Sequence, residues 1–134
     1  MFRALVHIAG VVLLRFPLPL RAWALLVAAL NFAAVFFLDV VEGRVVFLAL
    51  LVALLVMAIV YQCAGFVRLL GLGHVTWLAM LPWLFVRLPH AAGRPSLYAW
   101  LSVLLIVDAI CLIVDAGDVV RYALGERAPH YRLE

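Results

Sequence analysis

The sequence predicts an all-α integral membrane protein with four transmembrane helices, the third of them short and kinked by a proline, preceded by a short interfacial amphipathic helix. Hydrophobic residues make up 70% of the chain and charged residues only 13%, whereas soluble domains are about half apolar and about a quarter charged. Long apolar stretches recur along the chain. Tryptophans and tyrosines stand near the ends of these stretches, as expected at membrane–water interfaces.

Residues 1–21 are predicted to form an interfacial helix followed by a proline elbow. The apolar core of this stretch, from Ala4 to Leu14, is too short to cross a bilayer, which needs about 20 helical residues. A signal peptide is the competing interpretation, but no small-residue cleavage pattern follows the apolar core. Pro17 and Pro19 come instead, and a regular helix cannot continue through them.

Residues 22–122 are predicted to form the transmembrane bundle, and residues 123–134 a polar C-terminal tail. The four spans cover about residues 22–38, 45–61, 72–86 and 97–119. The third span is the weakest because it is short and contains Pro82. Neighbouring helices can satisfy the carbonyl that a proline leaves unbonded, so we expect a kinked crossing helix, with a re-entrant hairpin as the alternative.

The arginines predict the orientation of the bundle, because cytoplasmic loops carry an excess of positive charge. Four crossings place both termini on one side, together with Arg3, Arg15, Arg21, Arg68, Arg121, Arg127 and Arg132, and leave Arg44, Arg87 and Arg94 on the other. The same four crossings place Trp23, Tyr61, Trp77 and Tyr122 on the first side and Trp83, Tyr98 and Trp100 on the second. We therefore expect both termini in the cytoplasm and the bundle in a bacterial cytoplasmic (inner) membrane.

The fourth span contains the most informative motif, the five letters LIVDA repeated seven residues apart. The repeat places Asp108 near the middle of the span and Asp115 on the same helical face, two turns or about 10.5 Å away. A central aspartate costs about 2.5–3.5 kcal/mol on insertion scales, which the surrounding Leu, Ile and Val residues offset. Asp108 should therefore point toward protein or trapped water and away from lipid.

Asn31 is the predicted partner of Asp108. It is the only polar residue in the interior of the first span, and it lies near the middle of that span. Because spans one and four cross in opposite directions, the two midpoints lie at one depth. Ala24 and Ala28 precede Asn31 on the same side and offer a small surface for close helix approach. We expect spans one and four to be neighbours, joined by a hydrogen bond from Asn31 to Asp108.

Three interpretations of the acidic face remain open. A buried, protonated Asp108 bonded to Asn31 would fix helix register. Alternatively, Asp108, Asp115 and Asp118 form a proton or ion face, or Asp108 contacts the membrane helix of another protein. Asp118 is expected to be neutralised by Arg121, three residues further along the helix.

Other candidate sites are weaker. His74 and Trp77 stand where a lipid or quinone contact is conceivable. Cys63 and Cys111 are expected to be small buried hydrophobes, and no metal or cofactor is predicted. The charges of the connection LDVVEGR, between spans one and two, are expected to be ordinary solvated interface groups around a tight turn at Gly43.

The expected function is non-catalytic, because the sequence contains no catalytic motif. The leading interpretation is an accessory, assembly or scaffolding subunit, whose partners are membrane lipids and other membrane-protein subunits or further copies of the chain. The alternative is a small oligomeric proton-coupled transporter or channel that uses Asp108. The arginines are dispersed among apolar spans and form no basic stripe, so we expect no nucleic-acid partner.

Overall fold

The computed structural model describes residues 1–65 and 68–126, and within these ranges it contains helices and no strand. The α-helices are α1 (Phe2–Arg15), α2 (Leu18–Phe32), α3 (Val41–Ala64), α4 (Trp77–Arg87) and α5 (Pro95–Ala123). Three 3₁₀ segments connect them, Ala33–Phe37, Arg68–His74 and Leu88–Gly93. The end of the predicted polar tail, residues 127–134, lies outside the described residues.

Three helices are long and apolar enough to cross a membrane, and the number rises to four if one bent pair counts as a single span. The three are Leu18–Phe37, Val41–Ala64 and Pro95–Ala123, and the bent pair joins Arg68–His74 to Trp77–Gly93 at 41°. Their outward faces carry exposed large side chains such as Leu48, Phe36 and Ile113. An apolar surface of this extent indicates contact with lipid or another apolar partner. The architecture is compatible with a multi-pass membrane protein.

The sequence predicted that Pro82 kinks the third span, but the bend lies elsewhere. It falls at residues 75–76, between the Arg68–His74 segment and α4, whereas Pro82 lies inside α4. The first span also begins earlier than expected, because α2 starts at Leu18 with Pro19 in its first turn. A proline is tolerated there since the first-turn N–H groups have no intrahelical acceptor. The predicted elbow is therefore confined to Phe16 and Pro17.

The core forms around α5, which packs against α2, α4 and the 3₁₀ segments Arg68–His74 and Leu88–Gly93. Trp77 and Trp100 belong to this core, since they are only 1% and 8% exposed. The indole N–H of Trp100 donates a hydrogen bond of 2.9 Å to the Leu30 carbonyl oxygen. Both tryptophans therefore face the inside of the bundle, whereas Trp83 and Tyr98 are exposed. The interfacial depth of all four residues stays a prediction.

The connection between the first two spans differs from the solvated turn that the sequence predicted. Gly43 lies inside α3, where a Cβ atom would fall 2.0 Å from the Phe37 carbonyl oxygen. Glu42 is buried and accepts a hydrogen bond of 2.6 Å from Arg87 Nε. Asp39, which forms an ion pair with Arg94, and Arg44 are exposed, as predicted. Glu42 is buried because Arg87 reaches it from the end of α4, a contact between residues far apart in sequence.

The two ends of the bundle are named here after Asp39 and Asp118. The Asp39 end contains the ion pairs of Asp39 and Glu42 just described. The opposite Asp118 end contains the last turns of α5 and the Arg68–His74 segment. There α1 packs against α2 and α3, so the N-terminal helix is part of the bundle at this end, whatever its depth in a bilayer.

Candidate functional site

The three aspartates of α5 each contact a polar side chain from another part of the chain. Asp108 contacts Asn31, Asp115 contacts His74, and Asp118 contacts Arg68. The spacing of seven and three residues keeps the aspartates near one face of α5. This face therefore carries a row of polar contacts from the middle of the helix to the Asp118 end.

Asn31 and Asp108 meet as the sequence predicted. The Asn31 Nδ2 atom donates hydrogen bonds to Asp108 Oδ1 at 2.9 Å and to the Val27 carbonyl oxygen at 3.0 Å. Both side chains are completely buried. Asn31 Oδ1 and Asp108 Oδ2 have no hydrogen-bond partner among the described residues. An unpaired buried polar atom costs about 1–3 kcal/mol, so these two oxygens are positions where a further partner would be stabilising.

His74 and Asp115 form the second contact, one turn beyond Cys111. The distance from His74 Nδ1 to Asp115 Oδ2 is 2.7 Å, and the His74 ring stacks on Trp77 at a centroid distance of 4.0 Å. Cys111 Sγ lies 3.6 Å from Asp115 Oδ2 and 3.9 Å from His74 Nδ1. Imidazole, thiol and carboxylate therefore converge on one point.

Gly71 permits this convergence. A Cβ atom at residue 71 would lie 2.9 Å from both Cβ and Oδ1 of Asp115, closer than side chains normally approach. On the other side of the same segment, a Cβ at Gly73 would lie 2.6 Å from Met57 Cγ and 3.1 Å from the Ala53 carbonyl oxygen. The two glycines let the Arg68–His74 segment fit between α3 and α5.

The third contact corrects a prediction. Asp118 pairs with Arg68 at 2.8 Å, whereas the sequence predicted Arg121 as its partner. Arg121 is 60% exposed, and its Nε atom lies 4.0 Å from Glu126 Oε2. The prediction considered only neighbours on the same helix. The fold instead brings Arg68 to the side of α5 that faces the bundle.

An apolar cavity of about 320 Å³ connects these groups at the Asp118 end of the bundle. Side chains of α1, α2, α3 and α5 and of the Arg68–His74 segment form its walls. The polar members of the lining are Asn31, Arg68, His74, Cys111, Asp115 and Asp118. Trp77 also lines the cavity, and its Nε1 atom is buried without an acceptor in the described part of the chain. Small-molecule sites have this character, with apolar walls and a few placed polar groups.

Two further predictions are changed by the cavity and the burial pattern. Ala24 and Ala28 border the cavity, so the small surface before Asn31 adjoins internal space. Cys111 is buried as predicted, but Cys63 is exposed, and the prediction of a buried Cys63 was wrong. Cys63 lies near the end of α3, where no described residue covers its face of the helix.

The row of polar groups covers only one half of α5. From Asp108 toward the Asp39 end, the buried residues of this helix are Val107, Leu104, Leu101, Trp100 and Leu97. These side chains offer no exchangeable proton apart from the Trp100 indole, which already donates to a backbone carbonyl. The polar side chains of α5 thus form a row, here called the polar route, that runs from Asp118 through Asp115 and Cys111 and ends at Asp108.

The chain is all-helical in its described residues, with three to four apolar helices compatible with a multi-pass membrane protein, and its site combines a partly open cavity with a buried carboxylate–amide pair. No protein-family model matches the chain, and no curated protein or solved structure is significantly similar to it.

Proposed function

We propose that this protein is a small non-catalytic subunit of a bacterial cytoplasmic membrane, with an accessory or assembly role, and that it holds an amphiphilic, lipid-soluble molecule in its cavity. The observation that carries the proposal is the cavity itself, whose walls are apolar and whose lining residues include Asn31 and Trp77, each with one buried polar atom that has no partner among the described residues.

The polar atoms suggest the chemistry of the bound molecule. Trp77 Nε1 offers a donor, and Asn31 Oδ1 offers an acceptor. A carbonyl or hydroxyl group at the end of an apolar body would satisfy such atoms, as lipid head groups and quinones both do. His74 and Trp77, considered from the sequence as a lipid or quinone contact, both line the cavity.

The proposed orientation places the cavity end and both termini in the cytoplasm. Arginine counting supports this orientation, because seven arginines fall on the proposed cytoplasmic side and three on the other. The proposed partners are membrane lipids and either other membrane subunits or a second copy of the chain.

Purification in mild detergent tests the proposal, with mass spectrometry of the extracted small molecules. Ala28→Trp fills the cavity from its wall, whereas Ala29→Trp adds the same ring to an exposed position on the same helix. The wild type and Ala29→Trp should retain one amphiphile in constant ratio to protein, and Ala28→Trp should lose it. Equal retention in both variants, or no retained molecule in the wild type, would contradict the proposal.

A second candidate function, proton-coupled transport or a proton channel using Asp108, is favoured by one specific observation. The Oδ2 atom of Asp108 is fully buried and unpartnered among the residues described, at the inner end of a polar route. Since that route stops at Asp108, a complete path would need a second copy or a partner to supply the other half.

Proton flux into proteoliposomes with an internal pH-sensitive dye tests this second candidate. Transport predicts that Asp108→Asn abolishes flux while circular dichroism and the elution profile stay unchanged. Asp39→Asn is the matched control, because Asp39 is exposed at the opposite end. Equal flux in Asp108→Asn and wild type, or no flux above that of empty vesicles, excludes a transport role for this carboxylate.

A further inference from the structure

We propose that His74, Cys111 and Asp115 bind a divalent transition-metal ion, with Zn²⁺ as the preferred ion, on the wall of the cavity. The proposal is independent of the amphiphile, because the three ligands belong to the chain itself. One nitrogen, one sulfur and one oxygen atom lie within 4.8 Å of one another.

The distances between the ligand atoms fit a tetrahedral zinc ion closely. Zn–S bonds of about 2.3 Å and Zn–N or Zn–O bonds of about 2.0–2.1 Å imply separations of about 3.6 Å from sulfur to each light atom and about 3.3 Å from nitrogen to oxygen. The observed separations are 3.9 Å from Cys111 Sγ to His74 Nδ1, 3.6 Å from Sγ to Asp115 Oδ2, and 2.7 Å from Nδ1 to Oδ2. The last must lengthen by about 0.6 Å, which breaks the hydrogen bond that the metal replaces, and the separation of sulfur and nitrogen must shorten by about 0.3 Å.

The ligand types favour zinc over hard cations. A thiolate and an imidazole are ligands of Zn²⁺ and similar ions, whereas Mg²⁺ and Ca²⁺ take oxygen ligands. Three protein ligands leave the fourth tetrahedral position open, an arrangement typical of zinc sites that exchange a ligand. All three residues line the cavity, so the open position is accessible to water or to a polar group of a bound molecule.

The surrounding residues hold the ligands in place. Cys111 and Asp115 are one helical turn apart on α5, and His74 is fixed by stacking on Trp77 at 4.0 Å. Gly71 permits the close approach of the Arg68–His74 segment to Asp115. Two of the ligands therefore come from a regular helix, and the third comes from a segment wedged between α3 and α5.

Cobalt substitution tests the site, because a thiolate bound to Co²⁺ gives a charge-transfer band in the near ultraviolet and tetrahedral Co²⁺ gives intense visible bands. Purified protein in detergent is titrated with Co²⁺, and Zn²⁺ affinity is then measured by displacement of the cobalt spectrum. Wild type should bind one ion per chain with both features. Cys63→Ser removes the exposed thiol and should leave the spectrum unchanged.

The ligand variants separate coordination from folding. Cys111→Ser should lose the charge-transfer band, and Asp115→Asn should keep it while binding about 10-fold more weakly or worse, a conservative expectation for a ligand since outer-shell changes already cost about 10–100-fold. Circular dichroism and elution volume establish that each variant is folded, and Asp115→Asn remains informative if Cys111→Ser is not. The proposal is overturned if wild type shows no thiolate–cobalt band, if Cys63→Ser abolishes it, or if Asp115→Asn binds as tightly as wild type.

Discussion

The hydrogen bond between Asn31 and Asp108 makes a quantitative prediction for a double-mutant cycle. Truncating either residue to alanine removes the bond of 2.9 Å and leaves a void at a completely buried position. Asn31→Ala also leaves the Asp108 carboxyl group without its donor, and an unsatisfied buried group costs about 1–3 kcal/mol. We therefore expect Asn31→Ala to be destabilised by about 1–3 kcal/mol.

The coupling energy is the sharper quantity, because cavity terms of the single variants largely cancel in the cycle. Interhelical hydrogen bonds in membranes average about 0.6 kcal/mol and reach about 1.7 kcal/mol. The geometry here favours the upper part of that range, since both side chains are fully buried and the Asn31 amide is also oriented by the Val27 carbonyl oxygen. We expect a coupling of about 1–2 kcal/mol.

The assay is the free energy of unfolding in bicelles for the wild type, Asn31→Ala, Asp108→Ala and the double variant. A second cycle with Asp39→Ala in place of Asn31→Ala is the control, because Asp39 is exposed at the other end of the bundle. That control pair should be additive to within about 0.3–0.5 kcal/mol. If the Asn31–Asp108 pair is equally additive, the two helices do not meet through these side chains and the reasoning is refuted.

Three further predictions concern the rest of the bundle, each measured as a change in the free energy of unfolding. Gly43→Ala should cost about 1–3 kcal/mol or more by overpacking, because its Cβ would lie 2.0 Å from a backbone carbonyl oxygen. Gly117→Ala places its Cβ in open space and should be neutral or stabilising. Similar changes in stability for the two variants would contradict the close approach at Gly43. Glu42→Gln weakens a buried charge-assisted hydrogen bond and should cost about 1–2 kcal/mol. Asp39→Asn should change stability by less than about 0.5 kcal/mol, because the Asp39 side chain is 60% exposed. Equal costs for the two variants would argue against the burial of Glu42. Trp100→Phe keeps an aromatic ring but loses the N–H donor, and we expect the free energy of unfolding to fall by about 1 kcal/mol. An unchanged free energy of unfolding would contradict the hydrogen bond from Trp100 to Leu30.

The contact between Asn31 and Asp108 could be predicted from the sequence because the position of a residue along a spanning helix gives its depth in the bilayer. Each residue lies near the middle of an apolar span, and two helices that cross in opposite directions bring their midpoints to one level. A bilayer also makes an unpaired carboxyl group expensive, which narrows the choice of partner to the few polar residues available. The chain has one such amide in the interior of the first span.

The His74–Cys111–Asp115 cluster was not accessible in the same way. The spacing of Cys111 and Asp115 places both on one face of a helix, and this signal was available from the sequence. The third ligand, His74, comes from the Arg68–His74 segment. The apolar pattern of this segment is too short to predict which way the His74 side chain points. Gly71 and Gly73 are the local indications that this segment approaches its neighbours closely.

The burial of Glu42 and of Trp77 has a common physical origin. Charges in a short connection are usually solvated, and tryptophans in membrane proteins usually stand at interfaces. Both rules describe the average environment of a residue type. Here Arg87 arrives from a distant helix to pair with Glu42, and Trp77 packs within the core. Contacts between residues far apart in the sequence decided both cases.

The contact between α2 and α5 also has a consequence for the order of events during synthesis. Asn31 precedes Asp108 by 77 residues, so a ribosome delivers the amide to the bilayer well before the acid. The last helix, which bears the acidic group, then inserts beside a donor that is already in place. Removal of that donor should lower the efficiency with which newly made α5 leaves the translocon, an effect on biogenesis distinct from any change in the finished protein.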